Sequence, residues 1–367
     1  MTPNSINLFT PLQVGPYLLR NRIVMAPLTR SRATRGNVPH ELNTLYYAQR
    51  ASAGLIVSEA TQVVPEGQGY ISTPGVHSDD QVQGWRQVTH AVHAAGGRIF
   101  LQLWHVGRVS NVAFQPNGVA PVAPSAIAAK GQTYTASGFV DLSMPRALTL
   151  AEIPGVIAGY RTGAANAMAA GFDGVEVHGA NGYLIDQFLR DKSNQREDSY
   201  GGTIENRMRF LLEVLDAVID ETGADKVGLR ISPENTGNDI DDSDPQTLFN
   251  AVASAISGKG LAYLHVIEGD MRAAPDAPKS SFDYAAIHKA FGGLYMANYN
   301  FDKARANAAI AEGRVDMVAF GKLFIANPDL VTRFLLDAPL NKADTKTFYG
   351  GDQQGYTDYP VLDTIEE

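Results

Sequence analysis

The chain has 367 residues, of which 44% are hydrophobic and 19% charged, a composition typical of a folded protein with a large core. Its length fits two domains or one α/β barrel with insertions. The absence of cysteine excludes disulfide scaffolds, zinc fingers and thiolate nucleophiles. The formal net charge of −9 argues against nucleic acid and anionic membranes as main partners.

The N-terminal residues Met-Thr-Pro-Asn-Ser-Ile-Asn-Leu-Phe contain neither a basic segment nor the apolar segment of a secretory signal. No uncharged apolar stretch approaches the ~20 residues that a bilayer-spanning helix needs. These observations predict a soluble, cytoplasmic protein.

Short β-branched or aromatic runs alternate along the chain with longer stretches of helical period. The runs predict eight strands: Ile23–Met25, Leu55–Ser58, Ile99–Leu103, Phe172–Val177, Val227–Ile231, Leu261–Ile267, Leu294–Met296 and Met317–Phe320. The intervening stretches predict helices: Asp80–Ala95, Ala151–Ala170, Thr203–Thr222, Pro245–Ser257, Asp302–Glu312 and Pro328–Leu336. Thr149 and Glu152 have the spacing of a capping box at the start of the second helix.

Most spacings between these runs fit βα units of ~30 residues or more, and eight such units predict a (β/α)8 barrel. We expect one domain over residues 1–367. The gap between the third and fourth runs is too long for one unit and predicts an insertion, about residues 105–146, forming a loop or small hairpin over one face. The alternative is an open doubly wound sheet, but no G-x-G-x-x-G follows any predicted strand.

In such barrels the active site lies at the carboxyl ends of the strands, and the loops after strands seven and eight often hold a phosphate. The residues that follow the predicted strands are mainly polar: Pro27–Thr29, Glu59–Thr61, Gln102–His105, His178–Tyr183, Arg230, Glu268, Asn298–Asn300 and Gly321–Lys322. Gly321 allows close backbone approach to an anion and Lys322 adds a positive charge, which favours a phosphate-bearing cofactor. Arg230 suits a second site of negative charge.

His178, Asn181 and Tyr183 form the sharpest local cluster. In a helical turn at ~100° per residue, His178 and Asn181 lie ~60° apart and can donate to one ligand oxygen. Tyr183, ~140° from His178, approaches from elsewhere. Two neutral donors beside a phenol suit the activation of a carbonyl group followed by delivery of a proton.

Structural roles are the alternative at these positions. A single histidine after a strand often serves only as a hydrogen-bonding residue. Gln102 and Trp104 also fit strand-end packing, Thr29 fits a helix N-cap, and Lys322 fits a solvated charge.

Two other chemistries lack support in the sequence. His90 and His93 have helical spacing but no carboxylate at ligand spacing, so no metal site is predicted. No G-x-S-x-G elbow occurs, and there is no cysteine nucleophile, so covalent hydrolysis is not favoured.

A set of motifs occurs in a characteristic order from about Leu8 to Pro360. They are Asn21-Arg-Ile-Val-Met-Ala-Pro-Leu-Thr-Arg30, Glu59-Ala-Thr61, Gln102-Leu-Trp-His105, Gly171-Phe-Asp-Gly-Val-Glu-Val-His-Gly-Ala-Asn-Gly-Tyr-Leu184, Tyr200-Gly-Gly-Thr-Ile-Glu-Asn-Arg207, Leu229-Arg-Ile-Ser-Pro233, Phe320-Gly-Lys-Leu-Phe-Ile-Ala-Asn-Pro-Asp329 and Gly355-Tyr-Thr-Asp-Tyr-Pro360. This ordered set resembles the Old Yellow Enzyme family of FMN-dependent ene-reductases.

The resemblance implies a (β/α)8 barrel that binds FMN non-covalently at its mouth. Pro27, Ala60 and Gln102 are then expected to contact the isoalloxazine, with Gln102 at its pyrimidine edge. Thr29 is expected at the flavin O4. Arg230 is expected near N1 and O2, where its charge stabilises the reduced flavin.

The resemblance also implies roles for the remaining candidates. The phosphate is expected on Asn298, Tyr299, Asn300, Gly321 and Lys322. A substrate carbonyl or nitro oxygen is expected on His178 and Asn181, with Tyr183 as the proton donor. The substrate pocket is expected to be walled by Tyr70, Trp104 and Tyr356.

The chain departs from the family pattern in three places. Lys322 stands where an arginine is usual and loses the two-pronged contact with phosphate. Ala297–Asn300 contains no glycine where the family loop is often glycine-rich, although asparagine tolerates left-handed backbone. The Glu234–Asp244 loop is acidic. Thr29, where one branch of the family carries cysteine, places the chain in the better-known branch.

The resemblance implies reduction of activated C=C bonds in enones, enals, maleimides or nitroalkenes, with NADPH or NADH as reductant. The expected partners are small-molecule alkenes, and the expected state is a monomer or homodimer. Two other functions stay open. One is a flavin-free phosphate-binding lyase or aldolase, which needs a lysine at a central strand end and has only Lys322. The other is a non-catalytic flavin-binding barrel.

Overall fold

A computed structural model describes residues 6–270 and 281–362. Residues 1–5, part of the N-terminal stretch that the sequence predicts to lack a secretory signal, lie outside the described residues. The strands are β1 Leu12–Val14, β2 Tyr17–Leu19, β3 Ile23–Met25, β4 Leu55–Val57, β5 Thr61–Gln62, β6 Ile99–Trp104, β7 Val122–Ala123, β8 Gln132–Thr135, β9 Gly138–Asp141, β10 Arg146–Ala147, β11 Gly174–His178, β12 Val227–Ile231, β13 Tyr263–Ile267, β14 Tyr295–Asn298 and β15 Met317–Phe320. The α-helices are α1 Glu41–Ala48, α2 Asp79–Ala94, α3 Ile153–Ala169, α4 Leu184–Leu189, α5 Ile204–Thr222, α6 Pro245–Ile256, α7 Tyr284–Phe291, α8 Lys303–Ala311, α9 Lys322–Ala326 and α10 Leu330–Leu335.

Eight strands close into a parallel barrel in the order β3, β4, β6, β11, β12, β13, β14 and β15, with β15 pairing back to β3. The predicted (β/α)8 barrel is therefore confirmed, with strand ends shifted by a residue or two. Because all the strands run the same way, their carboxyl ends meet at one rim.

The outer helices cover the barrel through one apolar side each, and α5 shows how. Thr203 caps its first turn by accepting a hydrogen bond from the Asn206 amide at 3.3 Å. Phe210, Leu211, Val214, Leu215 and Val218, spaced three and four residues apart, are fully buried. Burying each such side chain contributes roughly 1.5–3 kcal/mol, so packing rather than intrinsic propensity dominates the stability of this helix.

The short hairpin of β1 and β2 closes the amino-terminal end of the barrel. Val14 and Leu19 pack with the interior side chains Phe100 and Tyr263. Gly15, at the turn, has φ +50°, and a Cβ atom there would lie 1.8 Å from the Asp225 carbonyl oxygen. Only glycine fits this turn. Because the hairpin closes the amino-terminal end of the barrel, the rim at the carboxyl ends of the strands is the open face.

The insertion over residues 105–146 contains the antiparallel hairpin of β8 and β9, paired from Gln132–Asp141 to Thr135–Gly138. Tyr134 and Phe139 stack edge-on across the hairpin with ring centroids 5.1 Å apart. Both side chains are largely exposed, and both line the cavity at the barrel mouth.

The structure departs from the predicted elements in two respects. The helices α1, α4, α7 and α9 are not anticipated by the sequence because each spans eight residues or fewer, too short for a clear period. The capping box is half formed: Glu152 accepts from the Thr149 amide at 2.8 Å, but the Thr149 hydroxyl donates to the same carboxylate. The helix α3 therefore begins after Glu152. No helix in the described part of the chain is long and apolar enough to cross a membrane.

Candidate active site

A cavity of about 2280 Å³ opens at the carboxyl rim of the barrel. Its wall is built from the ends of six barrel strands, from the β8–β9 hairpin and from the C-terminal segment 348–351. Many of the residues singled out from the sequence lie on this wall: Pro27, Thr29, Tyr70, Asn181, Tyr183, Arg230, Asn298, Tyr299, Asn300, Gly321 and Lys322. Strand ends far apart in the chain thus converge on one space.

Arg230 supplies a buried positive charge to the cavity wall. Its side chain is 5% exposed, and its Nη2 donates to Asn298 Oδ1 at 2.9 Å. Burial lowers the pKa of Arg230 to about 10, with Glu176 opposing the shift, so the group stays charged at neutral pH. Its Nε has no hydrogen-bond partner among residues 6–270 and 281–362. A buried donor in this state calls for an acceptor from a ligand or water.

The turn after β14 approaches the cavity with unusual backbone geometry. Tyr299 has φ +109° and Asn300 has φ +51°, so asparagine adopts the left-handed conformation and tyrosine a region that favours glycine. The turn is held from two sides: the Tyr299 hydroxyl donates to the Asp270 carbonyl at 2.8 Å, and Arg305 donates to the Tyr299 and Asn300 carbonyls.

The turn after β15 carries the second cation. Gly321 precedes the short helix α9, and the exposed Lys322 is its first residue. Lys322 has no carboxylate within salt-bridge distance among the described residues. Its ammonium therefore remains available to an anion in the cavity.

The loop after β11 places His178 and Asn181, but not as a helical turn. His178 ends the strand, Asn181 has φ +60°, and the next helix begins only at Leu184. The ~60° helical argument for these two residues is therefore wrong, because the backbone here is a left-handed loop. The Asn181 amide donates to Ser232 Oγ at 2.8 Å, and Asn238 Nδ2 donates to the Asn181 carbonyl at 2.8 Å. The 234–244 segment thus supports this loop.

The His178 imidazole is uncharged and can donate one hydrogen bond. Burial, with Arg230 and His265 nearby, holds the pKa of His178 well below 6.5. Its Nδ1 accepts from the Ala180 amide at 3.3 Å, so the single ring proton lies on Nε2. The side chain is 3% exposed and lies just behind the wall. Asn181 Oδ1 is buried, and no partner for it occurs in the described ranges.

Tyr183 lies at the centre of an aromatic group. Its ring packs edge-on against Trp104 at 5.0 Å and against His178 at 5.2 Å between centroids. Its hydroxyl lies 3.1 Å from the Tyr70 hydroxyl, and Tyr70 stacks on Trp104 at 5.7 Å. Ala60 and Trp104 lie in a small apolar cluster behind Tyr70 and Tyr183. Two phenols therefore share a hydrogen bond above a packed indole.

Gln102 belongs to a buried polar network that sequence reasoning missed. Its Nε2 donates to Glu176 Oε1 at 2.7 Å, and Glu176 Oε2 lies 2.9 Å from His265 Nδ1. All three side chains are 1% exposed or less. The signal was present in the sequence, since Glu176 and His265 interrupt apolar strand runs. Their pairing depends on strand register, which a sequence pattern does not reveal.

Tyr356 lies apart from the cavity, and the interpretation that it walls the substrate pocket is wrong. It is fully buried, stacks on Tyr46 at 4.2 Å and accepts a hydrogen bond from Asn43 at 3.0 Å. The guanidinium groups of Arg30 and Arg32 lie 5.0 and 4.4 Å from its ring centroid. These cation–π contacts turn the ring inward.

Residues 7–341 match the family described as the NADH:flavin oxidoreductase / NADH oxidase family. The chain belongs to this family. It is thus a flavin-dependent oxidoreductase of the Old Yellow Enzyme family, as the ordered motifs predict.

Similar proteins match along almost the whole chain. A putative 12-oxophytodienoate reductase 11 from Oryza sativa subsp. japonica is 47% identical, covering 97% of each chain. The structure of morphinone reductase in complex with tetrahydroNAD superposes with a TM-score of 0.93 and 48% identity over 99% of both chains. An Old Yellow Enzyme homologue from Zymomonas mobilis superposes with a TM-score of 0.92 and 44% identity, covering 97% of this chain and 100% of that one.

The residues at the rim fit FMN by their chemistry. Arg230 presents an unpartnered buried Nε where an electron-rich ring edge needs a donor, and Lys322 presents a cation suited to phosphate. The cavity is large enough for a flavin together with a second ligand.

Proposed function

We propose that this protein is an NAD(P)H-dependent ene-reductase acting on activated C=C bonds. The observation that carries the proposal is the meeting, on one cavity wall, of Asn181 and the Tyr183 phenol with the two cations that suit FMN, with the neutral His178 packed against that phenol just behind the wall. When bound, FMN would supply hydride transfer from a reduced nicotinamide to an alkene carbon conjugated to a carbonyl or nitro group. The names 12-oxophytodienoate reductase and morphinone reductase, which denote reductases of carbonyl-bearing compounds, support this reaction class.

His178 and Asn181 are proposed to bind the carbonyl or nitro oxygen of the substrate. Because His178 is neutral, its Nε2–H donates without presenting a positive charge to the nicotinamide that uses the same cavity in turn. Donors fixed before the reaction stabilise negative charge as it develops on that oxygen. Hydrogen bonds of the Asn181 backbone with Ser232 and Asn238 hold this loop in place.

Tyr183 is proposed as the acid that protonates the α-carbon. A phenol is protonated at neutral pH and is an available donor. Its ring is fixed by Trp104 and His178, which gives the hydroxyl one defined direction. Trp104 and Tyr70 are proposed to shape the substrate pocket around it.

The flavin itself is proposed to be held by residues of six strand ends. Thr29, Pro27 and Ala60 would contact the ring system, Gln102 its pyrimidine edge and Arg230 its N1 and O2 side. The phosphate is assigned to the two neighbouring turns after β14 and β15, whose residues are Asn298, Tyr299, Asn300, Gly321 and Lys322.

The test is anaerobic spectroscopy of the purified protein. The protein should be yellow, absorb near ~450 nm, bleach with NADPH or NADH and regain colour on addition of cyclohexenone. Parallel titration with each nicotinamide gives the preferred reductant, and a panel of cyclohexenone, a nitrostyrene and N-methylmaleimide gives the alkene class. A colourless protein that takes up no added FMN would refute the proposal, and so would bleaching without reoxidation by any alkene of the panel.

A further inference from the structure

The barrel interior holds an ionised carboxylate directly behind the proposed flavin site. Glu176 on β11 is fully buried and stands in register with Gln102 on β6, so both side chains point into the barrel. Its two oxygens accept from Gln102 Nε2 at 2.7 Å and from His265 Nδ1 at 2.9 Å. His265 is in turn in register with Arg230 on β12. These side chains come from four neighbouring strands, β6, β11, β12 and β13.

Glu176 and Arg230 carry opposite charges within this group of side chains. Burial lowers the pKa of His265, so this histidine is a neutral donor rather than the counter-ion of Glu176. His265, Arg230 and Gln102 together outweigh burial and lower the pKa of Glu176, which keeps it a carboxylate. Arg230 lies beyond salt-bridge distance of Glu176 in the described part of the chain, but its charge helps to lower the pKa of that carboxyl, and Arg230 also lines the cavity.

The carboxylate also sets the orientation of Gln102. A carboxylate only accepts hydrogen bonds, so the amide must turn its Nε2 toward Glu176. The Gln102 carbonyl oxygen and its second N–H are then directed away from Glu176. A flavin pyrimidine edge presents one N–H donor between two carbonyl acceptors, which such an amide can match.

We propose that Glu176 is a positioning residue that tunes the flavin: it fixes the Gln102 amide for oxidised FMN and offsets part of the Arg230 charge that favours reduced FMN. This inference rests on the FMN site proposed above. The reduced flavin carries negative charge near N1 and O2, so a buried carboxylate behind Arg230 disfavours it. The protein consequently holds its flavin at a lower reduction potential than Arg230 alone would produce.

Glu176→Gln tests this, since it keeps the shape and removes the charge. We expect the preference of the protein for reduced over oxidised FMN to rise about tenfold, which is a rise of about 30 mV in the two-electron midpoint potential. The readout is the potential from anaerobic redox titration against a reference dye, with the dissociation constant of oxidised FMN measured separately. A purely structural role for Glu176 would lower the unfolding temperature and leave the potential in place.

Asp173→Asn is the matched control. Asp173 is also a buried carboxylate, paired with His93 and Arg98 at 2.8 and 2.7 Å, and it directly precedes β11 at the amino-terminal end of the barrel. In Asp173→Asn, the preference for reduced over oxidised FMN should stay within a factor of two of the wild-type value. A rise as large as that of Glu176→Gln would overturn the inference.

A second variant covers the case in which Glu176→Gln does not fold. Glu176→Leu combined with His265→Leu removes both groups of the buried hydrogen bond, so neither is left without the other as its partner. The same rise in potential is expected. An unchanged potential in either folded, FMN-bound variant would overturn the role of Glu176 and leave the proposed function standing, whereas wild-type protein that binds no FMN would refute the proposed function itself.

Discussion

Tyr183→Phe tests the proposed acid role of the Tyr183 hydroxyl separately from the packing of the Tyr183 ring. The substitution removes one hydroxyl and keeps the ring contacts with Trp104 and His178 at 5.0 and 5.2 Å. It also breaks the 3.1 Å hydrogen bond to the Tyr70 hydroxyl. Tyr70→Phe breaks the same hydrogen bond from the other side and keeps the Tyr183 hydroxyl, so it is the matched control.

Loss of a positioned acid and loss of the hydrogen bond between Tyr70 and Tyr183 should slow the reaction by different factors. A neutral hydrogen bond contributes ~0.5–1.5 kcal/mol, which corresponds to at most about tenfold in rate. A positioned acid contributes ~10²–10⁴-fold. We therefore expect reoxidation by cyclohexenone to slow by ~10²–10⁴-fold in Tyr183→Phe and by no more than about tenfold in Tyr70→Phe. Bleaching by the nicotinamide needs no such proton and should keep its rate in both variants.

Anaerobic stopped-flow spectroscopy measures the two half-reactions separately. In Tyr183→Phe, reoxidation by nitroalkenes should slow less than reoxidation by cyclohexenone, because the nitronate product is stable enough to leave the site and take its proton from water. Equal slowing of both half-reactions in Tyr183→Phe would refute the acid role. Equal loss in Tyr183→Phe and Tyr70→Phe would instead assign the effect to the hydrogen bond that the two phenols share.

Three further outcomes are expected. Replacing His178 and Asn181 together by alanine should abolish the long-wavelength band of a phenol bound to oxidised flavin while FMN stays bound, and normal phenol binding would contradict the proposed oxygen site. Lys322→Ala should lose FMN on gel filtration whereas Lys322→Arg retains it, and equal retention in both would show that backbone amides alone hold the phosphate. Burial lowers the pKa of His105 to about 4, so between pH 6.5 and about 4 the unfolded chain binds a proton that the folded chain does not, and stability falls as the pH falls. His105→Asn is the control, because its side chain can still accept from the Gly107 amide. Between pH 7 and pH 5 the wild type should lose about 2 kcal/mol more free energy of unfolding than this variant, measured by thermal unfolding. An equal loss in the two proteins would contradict this.

Local patterns in the chain were sufficient for the barrel and for the rim of the site. Each of the eight barrel strands and most of the helices can be predicted from a short window of sequence, because backbone period and burial are local properties. Once a parallel barrel is inferred, the residues after its strands must meet at one end, since all carboxyl ends share a rim. Thr29, Arg230 and Lys322 lie on one cavity wall for this reason.

The tertiary structure alone decided how polar groups pair and which way side chains turn. Glu176 and His265 are 89 residues apart and meet only because β11 and β13 belong to one closed barrel, whose interior holds both side chains. Asn181 sits in a left-handed loop rather than a helical turn, because Ser232 and Asn238 hold its backbone. Tyr356 lies inward, where Arg30 and Arg32, more than 300 residues earlier, contact its ring and bind the carbonyls of the two preceding residues. A hydrogen bond requires a partner within ~3 Å, and the identity of that partner is a property of the folded chain rather than of its neighbours in sequence.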